Sequence, residues 1–199
     1  MTQPNITRDE ALKLIAPFNR TEKLVFLGIR GYYKKSMGDL DSNDIGIYDD
    51  AICIISPDYF GAFNGNTDPS KMKVGIATVK APQVIMFRQG IHGVSHAPAA
   101  VVEKMRKTKA NDPAYPRTYW AFRQDSNVTV IRHGQGEFTD NPQARFWIDL
   151  HQGGEWTTSS EGCQTIIKSQ WLNFKNQGYH WMNVYGQEQV PYILIDNPQ

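Results

Sequence analysis

The segment 146–165, FWIDLHQGGEWTTSSEGCQT, combines a predicted strand, a glycine turn and a cysteine-bearing loop. Side chains alternate between the two faces of a strand, so every second residue of 146–151 is expected to face a hydrophobic core. The predicted core-facing residues are Phe146, Ile148 and Leu150, and those on the opposite face are Trp147, Asp149 and His151. The pattern therefore predicts a histidine at the end of a strand, where its ring can reach a surface cleft.

A cysteine lies in the same segment, in the polar loop that comes after Gly153 and Gly154. A reactive thiol is typical of an exposed polar turn, whereas a packing cysteine is typical of an apolar strand. Gly162 carries no side chain, so a substrate carbonyl can approach Cys163, and the backbone N–H groups there can face a developing oxyanion. A thiol is mostly protonated at neutral pH, and an adjacent imidazole makes it a useful nucleophile. The segment therefore predicts Cys163 as nucleophile and His151 as its base.

Each of these residues also has a purely structural interpretation. Cys163 alone would be an incidental turn cysteine, and His151 would be a histidine bonded to a loop carbonyl. Ser160 either caps the turn or helps to orient the site. Asp149 either orients a histidine or only solvates its strand face, and the second interpretation is slightly favoured. The glycine before the thiol and the histidine at a strand end together favour catalysis.

The rest of the chain is predicted to form strands, with helices near its two ends. The stretch 56–70 is rich in Gly, Asn, Asp and Pro and is predicted to be a loop. Cys53 lies in the apolar run 51–55 and is predicted to be buried and unpaired. The predicted helices are 8–16, 102–109 and 167–177, and the predicted strands are 24–29, 45–55, 74–80, 83–88, 127–133, 145–151 and 191–195.

Length and composition predict one domain of the β-rich α+β class. The 199 residues are 40% hydrophobic and 21% charged, which is enough apolar surface for a sizeable core. The net charge of +1 gives no argument for nucleic acid as a partner. No apolar run reaches membrane-spanning length, so no membrane insertion is expected, and residues 1–5 do not resemble a secretory signal. We expect a monomer that is cytoplasmic at synthesis.

The motifs of this chain resemble those of the L,D-transpeptidase catalytic-domain family. In that family a strand ends in histidine, and a Ser-His-Gly-Cys turn carries the nucleophile in front of a helix. Here His151 matches the strand histidine, Ser160-Glu161-Gly162-Cys163 matches the turn, and 168–177 matches the helix. The stretch 75–78, Gly-Ile-Ala-Thr, looks like the glycine-containing strand of the family. The resemblance rests on a minor part of the chain.

The resemblance implies a single domain over residues 1–199, with a β-sandwich and a helix packed behind the cysteine turn. It implies a cysteine peptidase that hydrolyses peptidoglycan stem peptides through a thioester acyl-enzyme, as an L,D-carboxypeptidase or endopeptidase, without a cofactor or metal. Transpeptidation that cross-links peptidoglycan is one alternative, and a non-catalytic cell-wall-binding or phage structural module is another. Without an export signal, such an enzyme is expected to reach the cell wall by release or injection, as a bacteriophage endolysin does.

Two positions depart from the family pattern, because Glu161 replaces the turn histidine and Thr165 stands where Asn or Arg is frequent. A glutamate that faced the thiolate would raise the pKa of the thiol, so Glu161 is expected to point elsewhere. We predict substrate binding by Arg145, through a substrate carboxylate, and by Gly153, Gly154 and Glu161.

His92 and His96 have the spacing of a metal-binding pair, but no third ligand is near them in the sequence. We therefore predict a surface loop there and no metal. The predicted catalytic residues are Cys163, His151, Ser160 and Gly162.

Overall fold

The computed structural model describes residues 3–33, 43–143 and 147–197. Within these ranges the chain forms eleven strands and three α-helices, none of them long and apolar enough to cross a membrane. The helices are α1 (Arg8–Ile15), α2 (Ala99–Thr108) and α3 (Lys168–Tyr185). The strands are β1 (Val25–Arg30), β2 (Asp50–Ile55), β3 (Phe60–Asn66), β4 (Ala77–Val79), β5 (Gln83–His92), β6 (Tyr119–Gln124), β7 (Val128–Arg132), β8 (Gly136–Asp140), β9 (Leu150–Gln152), β10 (Gln164–Ile166) and β11 (Gln189–Asp196).

Eight of these strands close into a barrel in the order β1-β11-β5-β6-β9-β10-β3-β2. Neighbouring strands are antiparallel except for two parallel pairs, β1 with β11 and β9 with β10. The strands β4, β7 and β8 form a separate antiparallel sheet. The prediction of a single β-rich α+β domain is thus confirmed, but a closed barrel stands in place of the implied β-sandwich. β11 pairs with β1 on one side and with β5 on the other, and this closes the barrel. Each of the eight barrel strands among the described residues therefore has a partner on both sides.

Strand alternation places two hydrophobic clusters on the two faces of the barrel wall. Ile52 and Ile54 of β2 belong to the interior cluster, together with Phe26 of β1. Cys53 points the other way and packs in the cluster that contains Ala11 of α1. Cys53 is fully buried and unpaired, as the sequence predicts.

The last helix is longer than the sequence predicts, because Gly178 does not end it. A Cβ on Gly178 would lie 2.6 Å from Cζ of Phe122, so glycine is needed here for close packing against the barrel. The helix ends instead at Gly186, whose φ of 62° is the left-handed conformation that favours glycine. Phe174 of α3 packs against Phe26 and Phe122, with ring centroids 5.2 and 5.7 Å apart. Since α3 also contacts β9 and β10, it lies behind the segment that carries the predicted nucleophile.

The prediction of a loop over 56–70 is wrong, because β3 runs through this stretch. Gly61 and Gly65 indicated a loop, yet both belong to the strand. A Cβ on Gly65 would lie 2.6 Å from Cγ1 of Ile52 in the neighbouring β2, so this glycine serves close packing rather than a turn. The predicted strand 145–151 is also shorter in the structure, since only its end in β9 is regular among the described residues.

Two short parallel strands bring the predicted catalytic residues to the same part of the barrel wall. His151 lies in β9, and β10 begins directly after Cys163. The register pairs Gln164 with Leu150, so Cys163 lies beside Asp149. The loop between β9 and β10 therefore brings Cys163 back beside β9, the strand that carries His151.

Candidate active site

One cleft of the protein brings the thiol together with two stacked imidazole rings. Its volume is about 730 Å³, and its wall includes Cys163, His151 and His92. Trp147 and Asp149 line the same cleft. Trp147, Asp149 and His151 are the three residues that strand alternation assigns to this face, so that prediction is confirmed.

The alternate side chains of the same segment point into the protein. Ile148 and Leu150 are fully buried in the interior cluster, as predicted. Phe146, the third predicted core residue, lies outside the described residues, and so does Arg145, a predicted substrate contact. Burial of the apolar side chains fixes the strand, and the polar side chains consequently face the cleft.

The Cys163 side chain is partly exposed and rests against the backbone of the strand segment before it. Its Sγ donates a hydrogen bond to the carbonyl oxygen of Trp147 and accepts one from the N–H of Asp149, both at 3.5 Å. Desolvation in the enclosed cleft, and then the negative charge of Asp149, raises the pKa of the Cys163 thiol to about 12. The thiol is therefore protonated at neutral pH, and only transfer of its proton to a base creates the nucleophile.

The His151 ring is fixed through its Nδ1 atom. This nitrogen lies 2.7 Å from the carbonyl oxygen of Gln152 and 3.0 Å from the hydroxyl of Tyr119. A carbonyl oxygen only accepts hydrogen bonds, so Nδ1 carries the proton and Nε2 keeps its lone pair. Burial, and then the neighbouring His92, lowers the pKa of His151 to about 3, so the ring is neutral at physiological pH. Its Nε2 is the atom that can act as a base.

The thiol and the His151 ring share the cleft, but no hydrogen bond joins them within the described residues. The Cys163 proton is directed at the carbonyl oxygen of Trp147 instead. The predicted dyad therefore requires the Cys163 side chain to rotate away from this carbonyl. Direct contact between the thiol and His151 stays a prediction.

The second imidazole belongs to His92, and the prediction that this residue lies in a surface loop is wrong. His92 is the last residue of β5, and its side chain is 27% exposed. Its ring stacks on that of His151, with the centroids 4.1 Å apart and the planes inclined by 21°. Its Nδ1 lies 2.8 Å from Oδ2 of Asp149. Oδ2 of Asp149 is an acceptor here, since it also accepts from Nη1 of Arg123, so this Nδ1 carries a proton and Nε2 is the ring nitrogen of His92 left for another partner.

The sequence misses His92 because the strand that begins at residue 83 was predicted to end at residue 88. In the structure Gly90 lies within β5. A Cβ at this position would overlap the side chain of Arg123 in β6, so glycine is required where the two strands approach. The strand therefore reaches His92, which pairs with Tyr119. The glycine signals a close approach of two strands rather than a turn.

A buried carboxylate connects the two sides of the cleft. Oδ2 of Asp149 accepts a hydrogen bond from Nη1 of Arg123 at 2.8 Å, as well as the one from His92. The Arg123 guanidinium in turn lies 3.6 Å from the centroid of the Trp147 ring. Asp149 therefore orients a histidine, which is the interpretation that the sequence disfavoured, and this histidine is His92 rather than His151.

Ser160 holds the turn before the thiol. Its Oγ donates a hydrogen bond to the carbonyl oxygen of Cys163 at 2.7 Å and accepts one from the N–H of Gly162 at 3.0 Å. The Gly162 N–H is thus engaged, and the expectation that it faces an oxyanion is wrong for this conformation. The N–H of Cys163 has no acceptor within the part of the chain that the structure describes, so it is the donor that remains for an oxyanion.

Gly162→Ala is expected to lower the free energy of unfolding by about 2 to 4 kcal/mol. Gly162 has a φ of 138°, and a Cβ there would lie 2.8 Å from the carbonyl oxygen of Ala77. Gly75→Ala is the matched control, because Gly75 has a φ of 85° and nothing within 4 Å of the added Cβ. Urea unfolding of both variants measures the difference. An equal loss in the two variants would show that backbone strain, not the contact with Ala77, limits residue 162.

The predicted substrate contacts lie in different places. Glu161 borders the cleft, but its side chain is 71% exposed and its carboxylate pairs with Lys73 at 3.6 Å. Gly153 and Gly154 do not line the cleft, and their positions are explained by packing. A Cβ on Gly153 would overlap the hydroxyl of Tyr48, and this hydroxyl donates a hydrogen bond to the carbonyl oxygen of Gly154 at 2.7 Å. Substrate binding by these residues stays a prediction.

Glu161→Ala is expected to change turnover by about twofold or less, because an exposed carboxylate interacts weakly through water. Loss of its charge would, if anything, ease ionisation of Cys163, since Glu161 is the last of the groups that raise the pKa of that thiol. Lys73→Ala is the control for loss of the ion pair alone. A loss of activity as large as that of a nucleophile variant, with unchanged thermal stability, would instead assign Glu161 a direct role.

His96, the second histidine of the pair first considered for metal binding, also lines the cleft. Within residues 3–33, 43–143 and 147–197, no group of three His, Cys, Asp or Glu side chains is placed to hold a metal ion.

No family model, curated protein or solved structure matches this chain. The similarity to the L,D-transpeptidase family therefore stays a prediction, and the function is argued from the geometry of the cleft.

Proposed function

We propose that this chain is a cysteine peptidase that acts on peptidoglycan stem peptides through a thioester acyl-enzyme. The observation that carries the proposal is the meeting, in one cleft, of a thiol with an imidazole whose Nε2 keeps its lone pair. The backbone N–H of Cys163 has no acceptor among the described residues, and we assign it to the oxyanion. Acyl transfer needs a nucleophile, a base and an oxyanion donor, and we assign these roles to the Cys163 thiol, His151 and the Cys163 N–H.

The reaction begins from a neutral thiol and a neutral imidazole, because the pKa of Cys163 is raised and that of His151 is lowered. Nε2 of His151 takes the thiol proton as the sulfur attacks the peptide carbonyl carbon. The Cys163 N–H donates a hydrogen bond to the oxyanion of the tetrahedral intermediate. Departure of the amine leaves a thioester on the sulfur. Water as the second acceptor gives a carboxypeptidase or endopeptidase, and an amine gives an L,D-transpeptidase.

The substrate class comes from the resemblance of His151 and the Ser160-Glu161-Gly162-Cys163 turn to the L,D-transpeptidase family. Such a substrate contains diaminopimelate and D-amino acids. Hydrolysis is our first choice over cross-linking, and the acceptor is left to the experiment below.

A second candidate is a non-catalytic cell-wall-binding or phage structural module. It is favoured by the resting contact of the Cys163 thiol with the carbonyl oxygen of Trp147 and by the high pKa of this thiol. In such a protein the cleft would bind stem peptides without cleaving them.

Incubation of the protein with purified sacculi, followed by mass analysis of the soluble products, tests the proposal. Hydrolysis releases shortened muropeptides, and an added D-amino acid becomes incorporated if the enzyme is a transpeptidase. Binding to sacculi without any product would support the non-catalytic module. In parallel, iodoacetamide should alkylate Cys163 much faster than Cys53, because Cys53 is fully buried while Cys163 lines the cleft.

A further inference from the structure

The two stacked imidazoles differ in access to the cleft. His151 is buried, whereas the His92 side chain is 27% exposed. A substrate in the cleft can therefore reach the Nε2 of His92 more easily than that of the enclosed His151. The rings of His92 and His151 belong to one site, because their centroids are only 4.1 Å apart.

The two rings also differ in the groups that hold their Nδ1 atoms. His92 is held by the carboxylate of Asp149, at 2.8 Å. His151 is held by the uncharged carbonyl of Gln152 and the hydroxyl of Tyr119. A positive charge on His92 would be compensated by its direct partner, whereas one on His151 has no carboxylate in contact within the described residues.

Asp149 is the link between His92 and the thiol. Its carboxylate is paired with Arg123 as well as with His92, so a protonated His92 gives these three groups one net positive charge. The backbone N–H of Asp149 donates to Sγ of Cys163. Transfer of the thiol proton to His151 separates charge within the cleft and leaves its net charge unchanged, and a thiolate there lies near the positive charge of Arg123 and His92.

We infer that the two imidazoles act on different atoms, with His151 serving the Cys163 thiol and His92 serving the substrate. This inference rests on the proposed acyl-enzyme mechanism. In acylation the S–H proton moves to Nε2 of His151, and the sulfur forms a bond to the carbonyl carbon. The C–N bond then breaks with its electron pair on nitrogen, and this nitrogen takes the proton from Nε2 of the His92 imidazolium.

Deacylation reverses both proton transfers. The neutral His92 takes a proton from the attacking water or amine, which forms a bond to the thioester carbon. The C–S bond then breaks, and the sulfur regains its proton from His151. Both rings and the thiol return to their starting states, so no further reactant is required.

An ester with a nitrophenolate leaving group separates the two roles, since nitrophenolate departs without a proton. His92 then loses its proton to the solvent before it acts as the base in deacylation. With p-nitrophenyl acetate, release of nitrophenolate at excess enzyme measures acylation, and the intact mass of the acetyl-enzyme follows deacylation. In His92→Gln, acylation should stay within about twofold of the wild-type rate while deacylation slows by roughly a hundredfold. In His151→Gln, acylation itself should slow by roughly a hundredfold. Cys163→Ala should form no acetyl-enzyme.

A second variant, His92→Asn, guards against a folding defect in one variant alone. Thermal melts of His92→Asn and His92→Gln show whether each is folded. Equal slowing of acylation in His92→Gln and His151→Gln would overturn the division of roles, and so would normal deacylation in both His92 variants. A wild-type protein that forms no acetyl-enzyme would overturn it as well. If the ester reacts as expected but sacculi yield no product, the division of roles stands and the proposed peptidoglycan substrate is wrong.

Discussion

Cys163→Ala is expected to abolish release of muropeptides from purified sacculi, because no sulfur remains to form the thioester. The fold should survive the change. Among the described residues the thiol makes two hydrogen bonds, both at 3.5 Å, so the stability loss should be about 1 kcal/mol or less. Mass analysis of the released products and thermal melts of the same preparation measure the two effects.

The matched control for this variant is Cys53→Ala. Cys53 packs in the cluster under α1, so its loss should cost about 1 kcal/mol of stability and leave turnover unchanged. Release of muropeptides by Cys163→Ala at the wild-type rate would exclude the cysteine mechanism.

His151→Ala is expected to slow acylation by roughly a hundred- to ten-thousandfold, the usual contribution of a positioned general base. The pKa of His151 is lowered to about 3, so its ring stays neutral as the pH falls from about 8 to about 5. Over this range, protonation of His151 should therefore cause no loss of the wild-type acylation rate. Single-turnover release of nitrophenolate against pH measures both expectations.

His133→Ala serves as the control for removal of an imidazole. His133 does not line the cleft and contributes its backbone to the turn near β4, so the acylation rate should be unchanged. A wild-type acylation rate in His151→Ala, with acyl-enzyme still formed on Cys163, would show that another group takes the thiol proton.

Sequence patterns were sufficient for features set by neighbouring residues. The alternation through Ile148, Asp149 and Leu150 correctly predicted which side chains enter the core and which enter the cleft, because burial on one face of a strand has a period of two. Cys53 was correctly predicted to be buried, since an apolar run of this kind is stable only inside a protein.

Features that depend on distant parts of the chain were missed. His92 meets Asp149 across a separation of 57 residues, and no local periodicity reports such a contact. Gly65 was misleading, and the strand that continues through Gly90 was predicted too short, for the same reason. Each glycine makes room for a side chain of a neighbouring strand, Ile52 or Arg123, and that neighbour is known only from the fold. Barrel closure likewise depends on β11. The sequence identifies β11 as a strand, but it does not show that this strand pairs with β1 and β5.

The position of β11 in the barrel has a consequence for the order of events during synthesis. The strand spans Gln189–Asp196 and lies between β1, which begins at Val25, and β5. Until residues up to 196 have left the ribosome, β1 and β5 each lack their partner β11. Their unpaired edges can then pair with strands of other chains. Such distant pairing also makes folding slow, because a long loop must close before its contacts form. Nascent chains stalled before residue 189 should accordingly be more sensitive to protease and to aggregation than the released protein.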